Sequence, residues 1–389
     1  MDEIVEKNCL CALNRIFGFA PKAGLALLSH FGSAAEVLGQ KRTELEALLG
    51  PYSKHIGKLN PRAADEAGEE LLKLRQQHID FVGYTEDGYP PLLRECEDAP
   101  IGLYIRSTTP AAELWLPERN VAVIGTRDIT PYGREWCEKI IAGLSGAQPK
   151  PLITSGLALG VDICAHQAAM ECGLPTIAVM ATGPESVYPF RHQGTAEKMC
   201  FTPGCALITD YPPGTAPLAI HFLRRNRIIA GISDSTILIE SKIKGGGMMT
   251  SRLAFSYDRE VYALTGRIDD IRSQGCNELI RRKIAEPVTS IAGLLESMRM
   301  KKAAKYPGKG IQQVVAELPA VLSGEEESER IMTVLKMIEK NRGITLDEIA
   351  GRSGLDYRQV SAVTVMLESE GVITTDLLQR CCLNSKKFQ

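Results

Sequence analysis

Residues able to do chemistry gather in five glycine-bearing loops of this 389-residue chain. They read GTR at 125–127, SGLALGVD at 155–162, TGPESVYPFRH at 182–192, YPPG at 211–214 followed by FLRRNR at 222–227, and KGGGMMT at 244–250. Glycine, hydroxyl and arginine recur in them, and carboxylates are few. Backbone amides exposed by glycine turns, together with guanidinium groups, suit phosphate oxygens. Tyr188 and Phe190 offer rings on which a base could stack. Phosphate binding is therefore the leading inference. The alternative is that the glycines only make tight turns, with the arginines solvated or paired to Glu240 and Asp210.

Other chemistries find less support. The first loop, GTRDITPYG, is no GxGxxG, and neither GxxxxGK[ST] nor the GxSxG of a serine hydrolase occurs anywhere. Asp162 and His166 stand four apart on one helix face without a nucleophile at readable spacing, and they read as a helix-capping aspartate and a packed histidine. Eleven cysteines are scattered without a CxxC, and none of the six histidines sits at ligand spacing from them. The thiols are expected to be reduced and mostly in the core, with no structural metal and no cofactor.

The elements that must position these loops are short apolar runs: VAVI (121–124), PLIT (151–154), TIAVM (176–180), ALIT (206–209), TILI (236–239) and EVYAL (260–264). Runs apolar on both faces and alternating with helical stretches predict a doubly wound, Rossmann-like α/β sheet. In such a sheet, ligands sit at the carboxyl ends of the strands. Before it, residues 1–78 predict a small helical domain with helices near 11–28, 34–38, 41–49 and 61–77. Its APKAG and GPYSKHIGKL stretches resemble helix-hairpin-helix and sterile-alpha-motif segments. Residues 79–299 form the predicted sheet domain, and 300–327, mixing basic, Pro/Gly and acidic pieces, a linker. Residues 328–389 follow a helix, turn, helix and strand order that predicts a winged helix.

Composition sets the outer bounds. Hydrophobic residues make up 44% and charged ones 24%, an ordinary globular mixture. With 45 basic against 47 acidic residues, a polyanion would have to be held by a local patch rather than by net charge. The acidic start MDEIVEKN lacks a signal-peptide n-region, and no stretch reaches roughly 18 consecutive apolar residues, so a cytoplasmic location without membrane insertion is expected.

Five longer runs carry a family resemblance: VAVIGTRDITPYG, LITSGLALGVDICAHQAAMECGLPTIAVMATG, YPPGTAPLAIHFLRRNRIIAGISDSTILIES, KGGGMMTSRLAFSYDREVYALTG and GCNELI. Over about residues 80–285 the chain strongly resembles the DNA-processing protein A family, DprA, also called Smf. The resemblance implies a homodimer that binds and protects single-stranded DNA, loads RecA onto it in natural transformation and recombination, and is not an enzyme. It places the DNA in a basic pocket of the sheet. Arg127 then corresponds to the family's arginine after the first strand, Arg225, Asn226 and Arg227 to its RNR motif, and Lys244, Gly246 and Thr250 to its late loop. Loops and resemblance together predict a DNA-binding set of Gly125, Thr126, Arg127, Ser155, Gly156, Phe190, Arg191, Arg225, Asn226, Arg227, Lys244, Gly246, Gly247 and Thr250. In it Arg127, Arg191, Arg225, Arg227 and Lys244 track successive phosphates. The chain departs from the family at Leu159, where an arginine is usual, at Val161, at His192 and at glycines 245–247.

Two rival readings remain. The sheet variant also resembles lysine-decarboxylase-like phosphoribohydrolases, whose PGGxGTxxE signature reads GGGMMTSRLAF here and lacks the glutamate. A nucleotide-sensing transcription regulator rests on the winged-helix pattern alone.

Overall fold

The computed structural model describes residues 3–302, 311–316, 318, 325–341, 344–375 and 380–383. Two compact units divide it, Met1–Lys302 and Ala303–Gln389.

The first unit opens with helices α1 (Glu3–Phe17), α2 (Pro21–Phe31), α3 (Ala34–Gly39), α4 (Arg42–Leu49) and α5 (Pro61–Arg75). The single helix expected over 11–28 is two. Pro21 lacks an amide to continue α1, but it fits the first turn of a new helix. Ser33 and Asn60 cap α3 and α5 by accepting the amides of Glu36 and Ala63. Leu10, Leu13 and Phe17 of α1 share a core with Phe81, Ile101 and Tyr104 at the edge of the sheet. Buried Asn14 ties the two parts polar-wise: its Nδ2 donates to the Asp210 carbonyl at 2.9 Å and its Oδ1 accepts from the Gly102 amide at 3.2 Å.

Fourteen strands occur among the described residues: β1 (Ile79–Gly83), β2 (Gly102–Arg106), β3 (Asn120–Ile124), β4 (Ala147–Gln148), β5 (Leu152–Ser155), β6 (Thr176–Val179), β7 (Ala206–Thr209), β8 (Ser235–Leu238), β9 (Glu260–Leu264), β10 (Glu286–Val288), β11 (Lys301–Lys302), β12 (Ile344–Thr345), β13 (Ile373–Thr375) and β14 (Arg380–Leu383). Nine of them make the main sheet, in the order β1-β2-β7-β6-β5-β3-β8-β9-β10. From β7 to β10 every pair is parallel, while β1 and β2 add an antiparallel margin. All six predicted runs are strands here. The margin strands and β10 were not anticipated, since the short runs of β1 and β10 mix charge with apolar residues.

Helices α6 (Pro91–Arg94), α7 (Pro131–Ser145), α8 (Val161–Glu171), α9 (Gln193–Cys200), α10 (Ala219–Gly231), α11 (Gly246–Ser256), α12 (Gln274–Arg281) and α13 (Ile291–Ser297) complete the unit. Ile228 and Ile229 of α10 and Met248 and Ala254 of α11 bury one sheet face with Ile124 and Leu238. Ile140 and Ile141 of α7 and Cys164 and Ala165 of α8 bury the other with Val123, Ile153 and Ile237. Each fully buried Val or Ile contributes about 1.5–3 kcal/mol, so the apolar runs commit to the sheet interior. The described cysteines are buried apart from half-buried Cys172.

The chain leaves β3 outward through β5, β6 and β7, then returns to β8 on the other side of β3. This reversal opens a crevice at the carboxyl ends of β3 and β8.

The second unit contains α14 (Ile311–Ala316), α15 (Glu325–Lys340), α16 (Leu346–Ser353), α17 (Tyr357–Ser369) and an antiparallel sheet ordered β12-β14-β13. Capping boxes start α16 at Thr345 with Glu348 and α17 at Asp356 with Gln359. Ile331, Val334, Leu335, Ile349, Val360 and Leu367 form its core. Helix α14 falls inside the stretch expected to be a linker, most of whose other residues past Lys302 lie outside the described residues.

Candidate functional site

A cleft of about 760 Å³ occupies that crevice. The loop after β3 supplies Gly125, Thr126, Arg127 and Asp128, and the loop after β8 supplies Ser241, Lys242, Lys244 and Gly245, leading into Gly246, Gly247 and Thr250 of α11. Helix α10 forms a wall through Ala219, Phe222, Leu223, Arg225, Asn226 and Ile229, a stripe with helical spacing. Ala158, Asp162 and Tyr188 close the rim.

The two loops are locked together from beneath. The Thr126 amide donates to the Glu240 carbonyl at 2.8 Å, and the buried Glu240 carboxylate accepts from the amide of Thr130 at 2.9 Å and from its hydroxyl. Thr130 in turn caps α7 through the Gly133 amide. At Gly160, in the loop between β5 and α8, φ is +76°, and a Cβ there would lie 2.2 Å from the Thr126 carbonyl, so only glycine lets that third loop meet the loop after β3.

Cationic groups face this space in different states. Arg127 is exposed, its guanidinium 5.2 Å from the centre of the Phe222 ring, and its side chain makes no hydrogen bond among the described residues. Lys242 and Lys244 are exposed and make no ion pair among the described residues. Arg225 is only 3% exposed: Nη1 donates to the Val179 carbonyl at 2.6 Å, and Nε is buried without a partner. Burial lowers its pKa to about 10, against the pull of neighbouring Asp162, so it stays charged at neutral pH. A Cβ at Gly156 would sit 1.8 Å from Arg225 Nη1, and that glycine is therefore what makes room for the guanidinium.

The acidic residues of the cleft are spoken for. Arg272 pairs with Asp128 at 2.5 Å. Asp162 accepts from the Ala158 amide at 3.3 Å, and its pKa is raised by burial, with Arg225 pulling the other way. His166 packs away from the cleft with Nδ1 2.7 Å from the Thr176 hydroxyl, and burial lowers its pKa to about 3. His166 is the packed histidine expected from sequence, whereas Asp162 does not cap α8, whose cap position is Gly160; its carboxylate instead ties down the preceding loop through the Ala158 amide.

Of the fourteen predicted site residues, the structure brings nine to the cleft: Gly125, Thr126, Arg127, Arg225, Asn226, Lys244, Gly246, Gly247 and Thr250. Five lie elsewhere. Ser155 spends its hydroxyl on the Val123 carbonyl at 2.7 Å, and Gly156 lies behind Arg225. Phe190, 78% exposed, and Arg191 occupy a short turn outside the lining; Tyr188 of the same loop does line the cleft, with its ring 5.5 Å from Phe222. His192 anchors that turn by Nδ1 to the Leu157 carbonyl at 2.8 Å. Arg227, 6% exposed, points away into a buried ion pair with Asp210 and donates to the Asp98 carbonyl. The reason is geometric: consecutive residues on a helix diverge by about 100°, so three in a row cannot share one face. Phe222 and Lys242 were missed. Spacing carried a signal for Phe222, which stands one turn before Asn226 on the same stripe.

Fold and site together define a Rossmann-like α/β protein with a cationic, ring-lined cleft at its topological switch point. Residues 80–299 match the DNA recombination-mediator protein A family, and the chain belongs to that family. It is 34% identical over 254 residues to the DNA processing protein DprA of Streptococcus pneumoniae, covering 64% of this chain and 86% of that protein. The X-ray structure of DprA from Streptococcus pneumoniae aligns with 30% identity and a TM-score of 0.54, over 71% of this chain and 97% of the other. DprA from Helicobacter pylori, solved to describe its single-stranded DNA binding mode, aligns with 26% identity and a TM-score of 0.50, over 57% of this chain and 97% of the other.

Proposed function

We propose that this chain is a single-stranded DNA-binding recombination mediator that seats the strand in the switch-point cleft, protects it and loads RecA onto it. The observation that carries the reading is the set of unpaired cations, Arg127, Lys242 and Lys244, arranged with buried Arg225 around the Phe222 and Tyr188 rings. Cations along a groove hold a phosphodiester backbone without reading sequence. Ring faces are useful only to unpaired bases, which favours a single strand over a duplex. The N-termini of α10 and α11 both border the cleft and add their positive dipole ends.

The proposal includes a non-enzymatic role, with Asp128 paired to Arg272 and Asp162 accepting the Ala158 amide near Arg225. It also includes a homodimer in the cytoplasm, acting in natural transformation. Among the described residues no helix is long and apolar enough to cross a membrane. Residues 1–78 act as a helical domain, 79–299 as the DNA-binding domain, and 328–389 as a winged helix. Helix α17 holds a single arginine, Arg358, against Glu368 and the capping Asp356, a balance that favours a protein-contact or auxiliary role over entry into a major groove.

Fluorescence anisotropy of the protein with labelled oligo-dT and the matching duplex, repeated over a salt series, tests the core of this reading. About three neutralised phosphates give a log–log salt slope of roughly −0.7 × 3, near −2, for the single strand. A slope near zero, or equal binding of the duplex, would overturn it. RecA-dependent ATP hydrolysis on oligo-dT coated with a single-strand-binding protein tests the loading step, which fails if this chain brings no stimulation.

A further inference from the structure

We infer that the strand-binding surface continues out of the cleft along the start of α10 onto the helical lobe, where Phe19 is an outer stacking platform and Arg224 a phosphate contact. The inference rests on the cleft seating single-stranded DNA.

A line of rings leads that way. Tyr188 and Phe222 lie 5.5 Å apart at the cleft rim. The next residue back, His221, has its ring 4.5 Å from Tyr211 and 5.8 Å from Phe19, and Phe19 lies 6.4 Å from Tyr211. Tyr211 and His221 are buried, but Phe19 in front of them is 59% exposed. Single exposed rings are ordinary on a protein surface, and what sets Phe19 apart is its support from Tyr211, His221 and Arg224. It is held outward by two buried rings.

Arg224 completes the platform. Its guanidinium lies 4.0 Å from the centre of the Phe19 ring, close enough for a cation–π contact, and Nη2 donates to the Gly18 carbonyl. Its remaining nitrogens find no acceptor among the described residues. A fixed guanidinium over one face of a partly exposed ring repeats the pairing of Arg127 with Phe222 inside the cleft, and the rest of the Phe19 ring stays open to a base. Leu218 and Leu223, both exposed, flank the path. Two like pairs carried by neighbouring faces of the start of α10 fit a polymer with alternating phosphates and flat bases. The occupant is the same strand, extended beyond the cleft.

The test uses the full-length protein and oligo-dT of increasing length, from about 4 to about 16 nucleotides. The variants are Phe19→Leu, which keeps apolar contact without a ring face, Phe19→Trp, which restores one, and Arg127→Ala as the cleft control. Phe19→Leu should weaken the longest oligonucleotide about fivefold or more and leave the shortest unchanged, because one stacked base is lost. Phe19→Trp should bind as wild type. Oligonucleotides carrying 5-iododeoxyuridine at single positions should crosslink to Phe19 only from positions beyond those held in the cleft. If Arg127→Ala weakens all lengths while Phe19→Leu matches wild type throughout, the extension is wrong and the cleft reading stands. Equal weakening of all lengths by Phe19→Leu also overturns the extension. If Arg127→Ala changes nothing, the cleft reading fails and the extension falls with it.

Discussion

At the scale of single residues, the three arginines at 224, 225 and 227 do three different jobs within one helical turn. Arg224 reaches the helical lobe, Arg225 floors the cleft, and Arg227 neutralises Asp210. A second residue-scale case is His166, buried among positive neighbours. Desolvation first, then Arg225 and His192, lower its pKa from 6.5 to about 3. The folded chain therefore binds this proton less readily than the unfolded chain. The stability it preserves is complete above pH 6.5 and is lost as the pH falls toward 3. At pH 5 the loss is about 2 kcal/mol, at about 1.4 kcal/mol per pH unit. Urea unfolding at pH 7 and pH 5 should show a larger drop for wild type than for His166→Gln. Equal drops would mean that His166 is not held neutral in the fold.

At the scale of elements, helix α10 is both wall and beam. Its stripe from Ala219 to Ile229 faces the cleft, and the turn behind it carries the buried Arg227–Asp210 pair, whose carbonyl end also receives Asn14 from α1. Removing one partner of a buried pair leaves the other charge uncompensated, at a cost of about 3–5 kcal/mol. Arg227→Ala should accordingly show a large fall in urea midpoint. Arg127→Ala, on an exposed loop, should leave the unfolding free energy within about 0.5 kcal/mol of wild type and lose affinity for oligo-dT alone. Comparing the two by denaturation and anisotropy separates the beam from the wall. A stable Arg227→Ala protein that has lost only binding would return Arg227 to the DNA-contacting set.

At the scale of the whole molecule, the sheet carries the cleft on one compact unit, and the C-terminal unit builds its own core around Val334, Leu335 and Val360. All cleft residues belong to the first unit. Deletion of residues 320–389 should leave the anisotropy titration with oligo-dT unchanged, while any role of that unit in partner binding is lost. A drop in affinity on deletion would assign a strand contact to α17 or its neighbours.

The strand runs, the loops after them and the family were legible from residue type and spacing alone. Apolar runs buried on both faces have one economical arrangement, and glycine turns at strand ends recur in it. The margin strands β1 and β2 were not legible, because one of their faces is buried by the helical lobe and the other by the sheet core, contacts distant in sequence. Sequence named Arg225, Asn226 and Arg227 as one set, yet the rotation of α10 about its axis decided which of them reach the cleft, and that rotation is set by Ile228 and Ile229 packing on the sheet. Phe222 entered the site for the same reason, and Lys242 entered it on the loop between β8 and α11. Local sequence determines what a residue can do; the packing of the element that carries it decides which way it points.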